Sequence, residues 1–236
     1  MNGVTENFSN SLMNLIRFRR SVRIFNGQKI PKDEVISIIE AATWAPTGCN
    51  NQELRYYILD KEEEINSFLK FKPFLKGVSN IILIFCDMSL PMSVKMYKKL
   101  KHERNLPYID VGLAMGHLIL YAKSRGIDSC IVNVSEYHYG VEARKFNLLG
   151  KVINRFIRLI AEKLNLQSSL RNNLEYFLRK ELNIPEKYKI LGAVALGYAK
   201  IYPDIEKETH GGRKVKRESV EFYILNDKTK ETDWRL

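Results

Sequence analysis

Cysteine is scarce in this chain. Only Cys49, Cys86 and Cys130 occur, far apart, with no CxxC pair and no spaced histidine partner. That spacing argues against a zinc site and against a disulfide framework. An odd, sparse count suits a reducing, cytoplasmic setting. Long apolar runs are missing as well: the longest, from Ile81 to Cys86, is far too short to cross a bilayer. The first residues, Met1-Asn2-Gly3-Val4-Thr5-Glu6, have no basic stretch followed by an apolar one, so no signal peptide is expected. Internal repeats, low-complexity segments and a Gly-x-Gly-x-x-Gly dinucleotide fingerprint are absent. Acidic residues are in deficit, 27 against 38 lysines and arginines, for a formal net charge of +11. Such an excess fits an anionic ligand, nucleic acid or an acidic membrane surface, but charge alone favours a solvated basic surface. No nucleic-acid partner is expected.

What is present suits a soluble globular protein. The 236 residues are 45% hydrophobic and 28% charged, enough for a substantial core in a single domain spanning 1–236. A helix-like alternation covers 7–18. Asp33 and Glu34 open a second helix whose Val35, Ile38, Ile39 and Ala42 share a face, and Pro46 and Gly48 end it. Residues 54–59 read as a strand and 61–70 as a surface helix. The apolar run 78–86 reads as a strand buried on both faces. A long helix covers 108–125, with small residues Gly112, Ala114, Gly116 and Ala122 that let another backbone approach, and Gly126 as its cap. Two more central strands are expected at 127–134 and 190–198, the second kept thin by Gly192, Ala193 and Ala195. Between them, 141–182 is an unusually long helical stretch. Leu149, Val152, Ile153, Phe156, Ile157 and Ile160 form an apolar stripe there, with Lys151, Arg155, Arg158 and Lys163 on the other side. Interspersed strands and helices predict a mixed fold with helices packed on a central sheet.

Two basic clusters stand out. The first is Arg19-Arg20-Ser21-Val22-Arg23, followed by Phe25 and the turn Asn26-Gly27. The second is Arg213-Lys214-Val215-Lys216-Arg217, after Gly211-Gly212. A guanidinium's planar fork matches two phosphate oxygens, and glycines let backbone approach a ligand. Basic clusters are more often solvated, and Lys216 and Arg217 fit that reading. Between the clusters lies Pro46-Thr47-Gly48-Cys49-Asn50-Asn51-Gln52, an ordinary helix-to-strand loop or a set of amides for the edge of a polar heterocycle, since Asn50 and Gln52 both donate and accept. Together these elements point to a phosphorylated cofactor such as flavin mononucleotide (FMN), with the two clusters converging on it. Asp110 reads as a helix-dipole partner rather than a catalytic acid, His117 as a packed or interfacial histidine, and Cys49 and Cys130 as packing residues.

The order of these motifs carries a resemblance. R-R-S-x-R-x-F, then A-P-T-G-x-N-x-Q, then D-x-G-x-A-x-x-x-L-x-L-x-A-x-x-x-G-I, then P-E-x-Y with a later L-G-Y, then R-K, is similar to the nitroreductase family of FMN-dependent oxidoreductases. It spans most of the chain. The resemblance implies an α+β, nitroreductase-like fold with a central mixed or antiparallel sheet flanked by helices, and an intertwined homodimer with FMN at the interface. It also implies NAD(P)H as reductant and ping-pong hydride transfer to a small acceptor: a nitroaromatic, quinone, enone or biosynthetic intermediate. Carried over, Arg19, Arg20, Ser21 and Arg23 match the segment holding the FMN phosphate, ribityl chain and pyrimidine edge. Pro46, Thr47, Gly48 and Asn50 match the loop reaching the flavin from the partner subunit. Val132, Asn133, Val134 and Ser135 match backbone against the ring. Arg213 and Lys214 match a late basic pair on the phosphate. No side-chain catalyst and no metal are implied.

The chain departs from the family in three places. Glu53 stands where proline usually follows the N-x-Q glutamine, Asn133 to His138 replace a glycine-rich stretch, and the 141–182 insertion is much longer than usual. The insertion reads as a lid over the flavin cleft, as extra dimer packing, or as a surface for a membrane or protein partner. The alternative function is a non-catalytic flavin-binding or interaction protein that uses the insertion as its working surface.

Overall fold

The computed structural model describes residues 2–90, 106–134, 174, 177–203, 209–210 and 213–214, with side chains for those between 8 and 203. The chain divides into two compact units, Met1–Ile201 and Tyr202–Leu236. The first unit is an α+β body built on one antiparallel sheet.

In chain order its elements are α1 (Asn2–Phe18), α2 (Lys32–Thr43), β1 (Leu54–Leu59), α3 (Glu62–Leu69), β2 (Asn80–Asp87), α4 (Leu106–Ser124), β3 (Asp128–Val132) and β4 (Tyr188–Gly197). The strands lie in the order β1-β2-β4-β3. β2 is buried along its whole length, because helices and connecting segments cover both faces of the sheet. Ile81, Leu83 and Phe85 point into one core with Phe25, Phe68, Leu75, Cys130, Val132 and Phe177. Ile82, Ile84 and Cys86 point into the other, where α2 and α4 cover the sheet through Val35, Ile38, Val111, Met115 and Leu118. Each such side chain contributes about 1.5–3 kcal/mol by leaving water. The thin face expected on β4 is real at Gly192: a Cβ there would stand 1.9 Å from the end of Met115, so α4 sits close against the strand.

α4 ends as the sequence predicts. Gly126 N–H donates to Lys123 O and Ile127 N–H to Ala122 O, closing the last turn. Asp128 then ties the start of β3 to its surroundings, accepting from Lys123 Nζ at 2.8 Å and from Ala199 N–H at 3.1 Å. One expectation is corrected. Among the described strands β3 is an edge strand, pairing only with β4. Cys130 and Val132 are buried on one face while Ile131 on the other is exposed, a one-sided burial that an apolar run does not reveal.

α4 has an outward face as well as a buried one. Tyr108, Ile109, Leu113 and Tyr121 are exposed, and at Gly112 and Gly116 an added Cβ would meet no atom within 4 Å. Ala114 and Ala122, the other small residues of this helix, are buried against the sheet. α1 packs beside α4 and exposes Phe8, Leu12, Met13, Ile16 and Phe18. Among the described residues no helix is long and apolar enough to cross a membrane.

The insertion 141–182 lies almost wholly outside the described residues. At its end is a π-helical turn, Phe177–Glu181, whose Phe177 and Leu178 enter the first core. In the second unit two short strands pair, β5 (Thr209–His210) with β6 (Arg213–Lys214).

Candidate functional site

The first basic cluster is placed by a non-periodic segment that runs through the body as a thread. Ser21 bridges Ser129 on β3, Ile24 bridges Lys76, and Phe25 bridges Ala199. Val22 N–H donates to Ser129 O at 3.0 Å and Phe25 N–H to Lys76 O at 2.8 Å. Val22 and Phe25 are buried, and the Phe25 ring fills the space left by Gly197. The residues between these anchors, Ser21 and Arg23, are half-buried, as are Arg19 and Arg20.

Two of the arginines act on the same β3 side chain. Burial pushes the Cys130 thiol up, and the charges of Arg23 and Arg19 pull it back. Both guanidiniums are therefore within electrostatic reach of one β3 side chain. Arg23 Nη1 also donates to Ser21 O at 3.2 Å, which folds its side chain over the segment. Arg20 is used differently: its Nη1 donates to Arg17 O and Arg19 O, closing the carbonyl end of α1. At the end of β3 Val132 is buried in the core, and past it Asn133 is exposed and Val134 buried. Ser135 lies outside the described residues.

The 46–52 loop is the second element. Gly48–Asn50 form one 3₁₀ turn, closed by Asn50 N–H to Thr47 O and Asn51 N–H to Gly48 O. Three residues that are not glycine take left-handed backbone here: Cys49 at φ 53°, Asn50 at 54° and Gln52 at 50°. Each such residue costs on the order of 1–2 kcal/mol and persists only where its surroundings hold it. Here the surroundings do. Thr47 Oγ1 accepts Gln52 N–H at 3.0 Å, and Gln52 Nε2 donates to Asn50 Oδ1 at 3.0 Å. Asp110 Oδ2 on α4 accepts Gly48 N–H at 3.1 Å. The amides of Asn50 and Gln52 thus partly satisfy each other. Cys49, expected as a packing residue, is exposed at the turn, because its left-handed backbone turns it away from the core.

Two buried carboxyl residues bear on this loop. Asp110, read as a dipole partner, is 4% exposed and fastens the turn. Glu53, noted only as a departure, is 2% exposed, and its Oε2 has no hydrogen-bond partner. Burial pushes the Glu53 carboxyl up, and the adjacent Asp110 carboxyl pushes it the same way, against its own backbone N–H and Asn51. The signal in the sequence was the carboxyl at a position where the family pattern has proline. His117 is exposed, with Nδ1 3.3 Å from Ala41 O.

The two elements do not meet within one body. The arginine segment runs along β3 and the 46–52 loop leads into β1, at opposite edges of the sheet. Three strand spacings, about 14 Å, separate those edges. Arg213 and Lys214 belong to the second unit, on β6.

The model of one protein family, the nitroreductase family, matches residues 16–77 and 66–198. The chain belongs to the nitroreductase family. Among its relatives, YdgI of Bacillus subtilis (strain 168), whose name is that of an NAD(P)H nitroreductase, is 27% identical over 154 residues, 51% of this chain and 74% of the relative. The iodotyrosine deiodinase of Thermotoga neapolitana is 27% identical over 146 residues, 50% of this chain and 71% of the relative. An FMN-dependent nitroreductase from Clostridium difficile R20291 shares the fold at a TM-score of 0.55 and 20% identity, covering 84% of this chain and 98% of that one. The nitroreductase-like α+β fold expected from the motifs is thus the fold observed.

Proposed function

We propose that this nitroreductase-family protein is an FMN-dependent oxidoreductase that uses NAD(P)H to reduce a small organic acceptor, acting as a homodimer. The observation that carries the reading is the lie of the arginine segment along β3, fixed by the Ser21–Ser129 bridge and by Val22 N–H to Ser129 O. Two half-buried cations beside a serine, next to a strand end with buried valines, fit a phosphate at one end and a flat ring at the other. Names of family members, an FMN-dependent nitroreductase and an NAD(P)H nitroreductase, support the same cofactor and reductant.

In this reading Arg19, Arg20, Ser21 and Arg23 hold the phosphate, ribityl chain and pyrimidine edge. Val132, Asn133, Val134 and Ser135 lie along the ring, and Arg213 and Lys214 add charge at the phosphate. Pro46, Thr47, Gly48 and Asn50 come from the second copy. Bound FMN would supply the hydride chemistry. The protein's residues position it, exclude water and place a cation where negative charge develops at the pyrimidine edge. The acceptor belongs to the nitroaromatic, quinone or enone class, or is a biosynthetic intermediate.

The homodimer is supported by two features. The arginine segment and the 46–52 loop occupy opposite edges of the sheet, so a second copy is needed to bring one of each together. The outward face of α4 offers a shape for that copy, with apolar side chains around the open backbone at Gly112 and Gly116.

Purified protein is expected to be yellow and to be bleached by NADH or NADPH without air, then reoxidised by the acceptor. Colourless protein that takes up no FMN sinks the cofactor assignment. Yellow protein that neither nicotinamide bleaches favours the rival reading, a non-catalytic flavin-binding protein.

A further inference from the structure

We propose that Glu53 is a positioning residue whose neutral carboxyl donates a hydrogen bond to Asp110, and that this shared proton holds the 48–52 turn in its FMN-facing shape. The proposal rests on the assignment of the 46–50 loop to the FMN site. It begins from a physical conflict. Glu53 and Asp110 are both almost completely buried at the same turn, Asp110 through its bond to Gly48 N–H and Glu53 directly after Gln52, and the Asp110 carboxyl pushes that of Glu53 up. Two carboxylates in contact, out of water, repel strongly, and one of them keeps its proton. Asp110 already accepts the Gly48 N–H, a role that suits a carboxylate. Glu53 Oε2 has no hydrogen-bond partner as an acceptor. A proton on Glu53 resolves both problems, because the orphan oxygen becomes a donor and Asp110 becomes its acceptor.

The neighbouring groups leave that proton in place. From β2 the nearest charged group is Asp87, whose N–H donates to Glu53 O but whose carboxylate is engaged by Ser89 and Lys187. From β1, Arg55 Nη1 donates to the Gln52 and Leu54 carbonyls. On α4, His117 lies two turns beyond Asp110 and reaches Ala41 O. Asn51 reaches the Glu53 carboxyl as a neutral group. Among the described residues no cation bonds to the Glu53 carboxyl.

The chain of contacts then runs from Glu53 to Asp110 to Gly48 N–H, and from there into the left-handed residues Cys49, Asn50 and Gln52. Those backbones sit in a sparsely populated conformation and return to a commoner one when their anchor is lost. Loss of the proton puts two negative charges side by side and weakens the anchor.

The sign follows from linkage. Glu53 keeps its proton in the folded protein to a higher pH than in the unfolded chain. Stability is therefore full below the ordinary glutamate range and falls as pH rises toward the folded value. Glu53→Gln removes the titration and keeps a donor for Asp110; Glu53→Ala removes both.

The test uses the full-length protein. Carboxyl carbon NMR reads the titration of Glu53 directly, and amide-exchange protection of residues 48–50 reads the turn across the same pH range. The expected result is a Glu53 midpoint above the ordinary glutamate value, with turn protection falling about 10-fold as Glu53 ionises. Glu53→Gln is expected to hold protection flat, and Glu53→Ala to give low protection throughout. FMN affinity is expected to fall about 10-fold in Glu53→Ala and to return to within about 3-fold of the original in Glu53→Gln. A Glu53 already ionised at pH 6, or a Glu53→Gln protein with the same pH-dependent loss of turn protection as the original, overturns the proposal. The exchange and NMR measurements need no flavin. Failure to bind FMN therefore refutes the functional reading, while the state of the turn judges Glu53.

Discussion

Gly77 offers the sharpest test of how the arginine segment is held. It lies at φ +65°, and a Cβ built on it would stand 2.4 Å from Phe25 O and 3.2 Å from Gly27 N. The same turn clasps the segment through Phe25 N–H to Lys76 O, Lys76 N–H to Arg23 O and Gly27 N–H to Gly77 O. Gly77→Ala therefore carries two costs. The left-handed backbone costs about 1–2 kcal/mol. Displacing a hydrogen-bonded backbone by several tenths of an ångström adds about 1–3 kcal/mol. A total near 3 kcal/mol lowers the melting temperature by about 6–12 °C for a chain of this size. Gly27→Ala separates the terms, since Gly27 also has positive φ, +83°, but no atom lies within 4 Å of its would-be Cβ. It is expected to lose only the conformational part, about 1–2 kcal/mol. Urea unfolding of both variants, with FMN retention measured in parallel, gives the comparison. Equal losses for the two variants would refute the claim that the 77 turn presses on the arginine segment.

The remaining predictions concern the site, the assembly and acid stability. Arg19→Ala and Arg23→Ala are each expected to weaken FMN binding about 10–100-fold, the worth of a charge-assisted phosphate contact, by fluorescence titration; unchanged affinity in both would remove the phosphate site from β3. Gly116→Arg fills the open backbone on α4 and is expected to yield monomers in analytical ultracentrifugation, with intact secondary structure; a dimer that tolerates it must use another surface. Asp87 is held below the ordinary carboxylate value, first by the Ser89 hydroxyl, against the opposing effect of burial, and further by Ser89 N–H and Lys187. Its contribution is present above its unfolded value and is lost as pH falls through the folded one, so Asp87→Asn should be less stable near neutrality and lose less than the original between about pH 5 and pH 2. Parallel acid limbs in urea titrations of the two proteins would contradict this.

The parts of the fold that were legible share a physical cause. β1 was read with its observed bounds, 54–59, because a proline-glycine-asparagine loop precedes it and acidic residues opening α3 follow. β2 and α4 were visible because their burial imposes a pattern: all-apolar where both faces are covered, small residues where backbone approaches. The arginine segment and the turn were picked out as candidates by residue type alone. The thread from Ser21 to Phe25 was not, since its anchors are single bridges to Ser129, Lys76 and Ala199 and leave no period. The edge position of β3 was hidden for a related reason, because burial on one face is enough to recruit Cys130 and Val132. Arg20 was grouped with its neighbours by charge, and only coordinates show it bonded to the carbonyls at the end of α1. Glu53 registered as an oddity; its meaning depends on Asp110, which lies on another element.

Because the arginine thread and the strained turn sit on opposite borders of the sheet, damage to one leaves the other intact in the same polypeptide. In a dimer of the proposed kind, a polypeptide crippled at Arg23 and another crippled at Gly48 would, once mixed, assemble pairs with one doubly spoiled pocket and one wholly sound. Two inactive alleles of this gene would then rescue each other in a single cell.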